Sequence, residues 1–231
     1  MTTLAIDTSN DELGIALMKN DKIIGELITT SKNNHSEKLM PAIVDLMHRI
    51  EISQTDLSNI IVTRGPGSYT GSRVGLTTAK TMAWGQNIPL FTVSSLALLA
   101  MNGRMSSYYI CPFYNARRGA VYTGLYKWQQ NQLIEVRKET NLAMEAWLNE
   151  LVSLDAQILF ISPHMNVFED MIHDQLTDRA ILADISFQRP LPSNMYMMKD
   201  WLEAIDIHEA TPNYLRKTEA ETKLLNQKKG V

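Results

Sequence analysis

From Leu4 to Leu17 apolar positions alternate, Leu4 and Ile6, then Leu13, Ile15 and Leu17, with Asn10-Asp11 at the bend. Period-two alternation predicts two strands around a turn. A third strand is expected over Lys22–Thr29, after an Asn20-Asp21 turn, so the chain opens with an antiparallel meander. The period then lengthens. Leu39, Ile43, Met47 and Ile50 share one helical face, predicting a helix from Ser36 to Ile50 with Ser36 as cap and Pro41 near its first turn. Ile60-Ile61-Val62, inside Asp56–Thr63, is a continuous apolar run that suits a buried parallel strand. Gly65 to Gly71 reads as a loop, Ser72–Gly85 as a helix, Pro89–Val93 as a strand and Ser94–Met101 as a helix.

This β-β-β-α-β-α-β-α order builds a mixed sheet with helices on its faces. Ser106-Ser107 marks an expected lobe boundary. Beyond it, strands are expected at Tyr108–Tyr114, Val121–Lys127, Leu133–Val136 and Gln157–Ile161, with helices at Leu142–Val152, Val167–Gln175 and Ser193–Ala204. The division expected is an N-terminal lobe over 1–103, a smaller lobe over 104–192, and a C-terminal helix and tail over 193–231. No residue-level repeat occurs, although the two lobes could share a topology.

The 231 residues suffice for two compact lobes around real cores. A single cysteine, Cys111, rules out an intrachain disulfide and a multi-cysteine zinc site, and reads as a small buried hydrophobe. The opening Thr2-Thr3-Leu4-Ala5-Ile6 lacks the basic and apolar regions of a secretion signal, and no apolar run approaches the roughly 20 residues of a membrane span. The expected setting is therefore cytoplasmic, without membrane attachment. Net charge is −3, and the only dense basic cluster is Lys228-Lys229. A chain that grips RNA unaided usually concentrates positive charge, so any RNA contact is expected to depend on a partner.

Chemistry has few places to reside. Asp7-Thr8-Ser9 ends the first strand and could offer N–H groups and hydroxyls to an anion, or could simply close a turn. Asp11 and Glu12 would repel a triphosphate there. The loop Gly65-Pro66-Gly67-Ser68-Tyr69-Thr70-Gly71 joins a strand to a helix, the geometry of an anion-binding helix start. It is neither a Walker A loop nor a nucleophile elbow. Its spacing admits equally an anion site and a helix cap from Ser68 or Thr70. Gly75, Thr78, Ala79 and Ala83 keep the next helix small, while Val74, Leu76, Met82 and Trp84 point several ways. Met40 and Leu46 lie off the main stripe of the earlier helix. Surplus apolar surface on two helices points to a helix-on-helix interface; the alternative is burial inside the lobe. His35, His48, His164, His173 and His208 form no metal pair, and His35 suits a helix start. Arg117-Arg118 at a hairpin tip suits a solvated turn, or contact with nucleic acid or a partner's carboxylates.

In order along the chain stand Ala5-Ile6-Asp7-Thr8-Ser9, His35-Ser36-Glu37, the glycine loop with Arg73 and Gly75, Val93-Ser94-Ser95-Leu96, Asn115 through Tyr122, and Pro212-Asn213-Tyr214-Leu215-Arg216. Together they resemble the bacterial TsaB (YeaZ) family. The resemblance implies a two-lobed ASKHA fold, the α/β architecture of actin, Hsp70 and sugar kinases. It implies a non-catalytic subunit acting with TsaD and TsaE to place threonylcarbamoyl on N6 of adenosine 37 in tRNAs reading ANN codons. Nucleotide (ATP or ADP) and metal are then expected on TsaD, and tRNA is met through the complex. TsaD holds its metal through a histidine pair, and the matching positions here look like Ser95 and Leu99. The second-lobe stretch Phe160-Ile161-Ser162-Pro163-His164-Met165 lacks the glycine loops of a nucleotide site. Asp7, Thr8, Ser9, Gly65, Gly67 and Ser68 would be a vestigial nucleotide or anion site. The helix pair would contact TsaD through Met40, Ile43, Met47, Arg73, Gly75, Leu76, Ala79, Met82 and Ala83, or pair with itself in a homodimer. The competing readings are an independent ATP-dependent phosphotransferase and, further off, a peptidase.

Overall fold

A computed structural model describes residues 1–30 and 34–215. The first sheet starts with the meander β1 (Thr2–Asp7), β2 (Glu12–Lys19) and β3 (Lys22–Thr30), whose two-residue Asn20-Asp21 link has both φ angles positive, as right-twisted hairpins require. After helix α1 (His35–Arg49), β4 (Asn59–Thr63) adds parallel to β1. Helix α2 (Tyr69–Gln86) leads to β5 (Leu90–Val93), parallel to β4, and to the short helix α3 (Ser95–Ala100). The second sheet repeats the plan with β6 (Tyr109–Asn115), β7 (Ala120–Gln129) and β8 (Gln132–Ala143), then α4 (Met144–Val152), β9 (Ile158–Ile161), α5 (Met165–Leu176) and β10 (Ala180–Leu182). The orders β5-β4-β1-β2-β3 and β10-β9-β6-β7-β8 are the same topology twice. This is the expected ASKHA-type α/β architecture.

Strand alternation divides the molecule into layers. Leu4, Ile6, Leu13, Ile15, Leu17, Ile60 and Val62 face α1 and α2 on one side of the first sheet. Ala5, Ala16, Met18 and Ile61 face the other way, into a middle core that also takes Ile110 and Tyr114 of β6 and Tyr126 of β7. Cys111 and Phe113 point out of that core, beneath α4 and α5. The sequence of layers is helices, sheet, shared core with α3, sheet, helices. Every α3 side chain is completely buried, because this helix lies between the two sheets.

Several boundaries differ from the sequence expectation. Ser36 is the second residue of α1 and not its cap; Asn34 holds that position without a side-chain bond. Pro41 therefore falls in the second turn, where it cannot supply an N–H to the carbonyl of Glu37, a residue on the exposed face. Strand β8 runs on to Ala143, so α4 begins later than Leu142, and β10 is a strand that periodicity did not mark. The largest difference is at 193–204. Tight 3-10 turns at Pro192–Met197 and Lys199–Trp201 and a two-residue strand, β11 (Glu203–Ala204), replace the expected helix. Met195 and Met198 plug into the middle core, Ser193 N–H donates to Glu26, and Trp201 Nε1 donates to the Leu133 carbonyl. Anchors on both sheets draw the segment out across them, and β11 pairs antiparallel with β5. Among the described residues, no helix is long and apolar enough to cross a membrane. Lys228 and Lys229 lie outside the described residues.

Candidate functional site

The ends of β1 and β6 and the starts of α1 and α2 border a cleft of about 850 Å³ between the lobes. Its lining includes Ser9, Asn10, Asp11 and His35 from the first lobe and Tyr114, Arg117, Tyr122 and His164 from the second. Among the predicted anion-site residues, Ser9, Gly67 and Ser68 line the cleft, while Asp7 and Thr8 are buried near it.

The donors of this site face inward. Ser9 gives both its N–H (3.0 Å) and its hydroxyl (2.6 Å) to Asp7 Oδ1, which also accepts the Thr63 hydroxyl at 2.6 Å. Thr8 Oγ1 donates to the Gly71 carbonyl at 2.8 Å. Ser68 N–H donates to the Ser9 carbonyl at 2.6 Å, and Ser68 Oγ caps α2 by accepting Gly71 N–H. Of the two expected capping residues, Ser68 is therefore the one used. Gly67 is required by proximity, since a Cβ there would land in the Ser9 carbonyl; Gly65 is required by its φ of +94°. The loop clasps the β1–β2 turn, and the Thr8 and Ser9 hydroxyls and the Ser9 and Ser68 N–H groups are engaged by protein acceptors rather than offered to an anion.

Acidic groups lie buried behind the cleft wall, around the β1–β2 turn. Glu12 is buried, and burial, with Asp7 and Asp11 nearby, pushes its carboxyl up to about 7. Asp7 Oδ2, Glu12 Oε2 and Asn10 Nδ2 are buried without hydrogen-bond partners. Tyr114 holds its proton far above the usual phenol range, through burial and through the charges of Asp7 and Glu12. His35 opens α1, as expected, and its Nε2 donates to the Asn10 carbonyl at 2.7 Å.

The nine interface candidates divide sharply. Ile43, Met47, Gly75, Leu76, Ala79, Met82 and Ala83 are all buried in the first lobe. Gly75 faces Thr8 and Val62, so the missing side chain at that position admits the sheet and its turn. This corrects the expectation that these side chains form an exposed surface. The residues that α1 and α2 leave in solvent include the apolar Met40, Val44 and Trp84 beside Arg73, Thr77 and Thr81, together with charged positions such as Glu37, Lys38, Asp45 and Arg49. Ser95 donates to the Pro66 carbonyl, and Leu99 lies wholly in the middle core. Neither side chain offers a metal ligand. Arg117 and Arg118 occupy the β6–β7 turn with φ of +68° and +55°, Arg117 at the cleft wall.

Two groupings escaped sequence reasoning. Glu139 of β8 accepts hydrogen bonds from Ser94 and Tyr126, tying the cap of α3 to the second sheet; burial raises its pKa. At the start of α2, Arg73 sits between Tyr69 and Tyr214. Both join residues far apart in the chain, and only the Arg73–Tyr69 spacing of one helical turn was readable beforehand.

Comparison with known proteins gives this architecture relatives. The family model described as TsaD, tRNA N6-adenosine threonylcarbamoyltransferase, matches residues 22–224. The tRNA threonylcarbamoyladenosine biosynthesis protein TsaB of Bacillus subtilis (strain 168) is 43% identical over 229 residues, spanning 99% of this chain and 100% of that protein. The TsaB of Escherichia coli (strain K12) is 26% identical over 230 residues, spanning 97% and 98%. YeaZ from Pseudomonas aeruginosa superposes with a TM-score of 0.77 at 22% identity, covering 93% of this chain and 99% of that one, which speaks to the fold. On the strength of a likeness that runs almost end to end, the chain belongs to the TsaB (YeaZ) family of the tRNA threonylcarbamoyladenosine pathway.

Proposed function

We propose that this chain is a non-catalytic subunit that docks a TsaD-type threonylcarbamoyltransferase and, with TsaE, supports modification of tRNA adenosine. The observation that carries the reading is the inward closure of the phosphate-facing loops: Asp7 takes the Ser9 and Thr63 donors, and the Ser9 carbonyl takes Ser68 N–H. A fold whose nucleotide contacts are turned on themselves keeps its shape and its outer surfaces. Ser95 and Leu99, at the positions resembling the metal-binding histidines of TsaD, serve packing. Nucleotide and metal then belong to the partner, and tRNA is met through the complex.

The docking face is the exposed ridge of α1 and α2, where Met40, Val44 and Trp84 present apolar surface to solvent. The same ridge would pair two copies of the chain when TsaD is absent. The test combines purified chain, a TsaD enzyme and TsaE, with size-exclusion chromatography and an assay of threonylcarbamoyl transfer to tRNA. The expected result is a stable complex and modification that depends on the added chain. Saturable ATP binding or ATP turnover by the isolated chain would favour an independent phosphotransferase instead, and unaided peptide cleavage would favour a peptidase.

A further inference from the structure

We infer that Tyr214 holds Arg73 in place as a pre-oriented anchor for a carboxylate on the docking protein, an inference that rests on the docking face proposed above. The Arg73 guanidinium carbon lies 3.9 Å from the centroid of the Tyr69 ring and 5.6 Å from that of Tyr214. Its Nε donates to the Tyr214 hydroxyl at 2.6 Å, and the two tyrosine rings stand 5.4 Å apart. Nothing in this arrangement is buried for packing: Tyr69 is 52% and Tyr214 45% exposed.

Tyr214 reaches α2 because the chain before it is strapped down. Ile205 N–H donates to the Leu90 carbonyl, Lys80 to the Ala210 carbonyl, and Asn213 N–H to the Arg64 carbonyl at 2.7 Å. Ala210 is buried against the first-lobe core. The strap thus delivers a phenol from the far end of the described chain to the surface of α2.

An exposed arginine normally samples many rotamers, and ordering it opposes binding. Here two rings and one hydrogen bond hold the side chain before any partner arrives. Nε is engaged, and none of the ion pairs among the described residues involves Arg73. Besides the Tyr69 and Tyr214 hydroxyls, no hydrogen bond or ion pair among the described residues claims the guanidinium, and its planar end matches a carboxylate with two parallel hydrogen bonds. Aromatic residues and arginine at the edge of an apolar patch are the composition of an interface hot spot. The neighbours favour a protein over RNA. Arg73 continues a ridge of Thr77, Thr81 and Trp84 beside Met40 and Val44, and among the described residues the basic Lys38 and Arg49 of α1 stand interspersed with the acidic Glu37 and Asp45 rather than as a run of cations to follow a phosphate backbone.

The experiment measures affinity for a TsaD enzyme at low and high salt, with thermal melts of every variant. Arg73→Ala and Arg73→Lys are each expected to weaken the complex about tenfold and to flatten its salt dependence. Tyr214→Phe keeps the ring but removes the acceptor, so an intermediate loss is expected with an unchanged melting temperature. Trp84→Ala reports on the docking face independently. If Trp84→Ala weakens the complex while the Arg73 variants do not, the anchor is wrong and the docking face stands. If Arg73→Ala weakens binding and Tyr214→Phe and Tyr214→Ala do not, the pre-orientation is wrong. A loss of tRNA affinity without loss of TsaD affinity would overturn the carboxylate in favour of phosphate. Wild-type chain that fails to bind TsaD at all would remove the docking proposal itself.

Discussion

Thr177, at the end of α5, has φ +48° and ψ −127°, a conformation that a β-branched residue resists. Glycine takes it without Cβ strain, at the cost of a freer unfolded chain. Thr177→Gly is therefore expected to stabilise the protein by about 1 kcal/mol, read from the urea midpoint. Glu12 gives a pH prediction. Its folded pKa, raised by burial from 4.5 to about 7, means the folded chain binds that proton more tightly than the unfolded chain. Its contribution is most favourable below pH 4.5 and is lost as pH rises to about 7, on the order of 2–3 kcal/mol for this group alone. Glu12→Gln should flatten this slope and be more stable than wild type at pH 8, as urea titrations at several pH values would show. A wild-type slope retained in the variant would place the proton elsewhere. At this scale the sequence was half legible. That Asp7, Asp11 and Glu12 would gather at one turn was readable, but not that Asp7 would collect three hydrogen bonds on one oxygen, because Thr63 comes from another strand.

Among the elements, α3 depends most on its cap residue, Ser94. Ser94 Oγ accepts the N–H groups of Leu96 (3.1 Å) and Ala97 (3.3 Å) and donates to Glu139. Ser94→Ala removes the cap and leaves a largely buried carboxyl short of a donor. A loss of about 1–2 kcal/mol is expected from denaturant unfolding, and an effect near zero would mean the cap is replaceable. The apolar stripe of α1 was readable from Leu39, Ile43 and Met47, all buried. The sidedness of α2 was not. Glycine, alanine and threonine are spread around it, and only the sheet beneath determines that Gly75 and Ala79 turn inward while Arg73 and Thr77 turn out. Leu76→Ala should accordingly cost about 2–5 kcal/mol, whereas Thr77→Ala should stay within about 0.5 kcal/mol in the same unfolding measurement.

Across the whole molecule, the middle core belongs to both sheets. Ala5 and Ile61 from the first sheet, Ile110 and Tyr126 from the second, and Met195 from the C-terminal segment form one apolar cluster. Neither lobe can expose its inner face without the other, so the two are expected to unfold in one calorimetric transition. Two resolved transitions would show that the shared core does not couple them.

What the sequence determined by itself was local: period-two runs became the strands, most 3.6-residue runs the helices, and the glycine loop the junction between a strand and a helix. These follow from backbone geometry and nearest neighbours, which a linear pattern encodes directly. What only the tertiary structure decided was which apolar face meets which layer. It alone turned Ser193–Ala204 from an expected helix into a bridge of turns between sheets. It alone brought Tyr214 back to Arg73. Those outcomes depend on long-range burial and hydrogen-bond partners, and the spacing of a single segment carries no record of either.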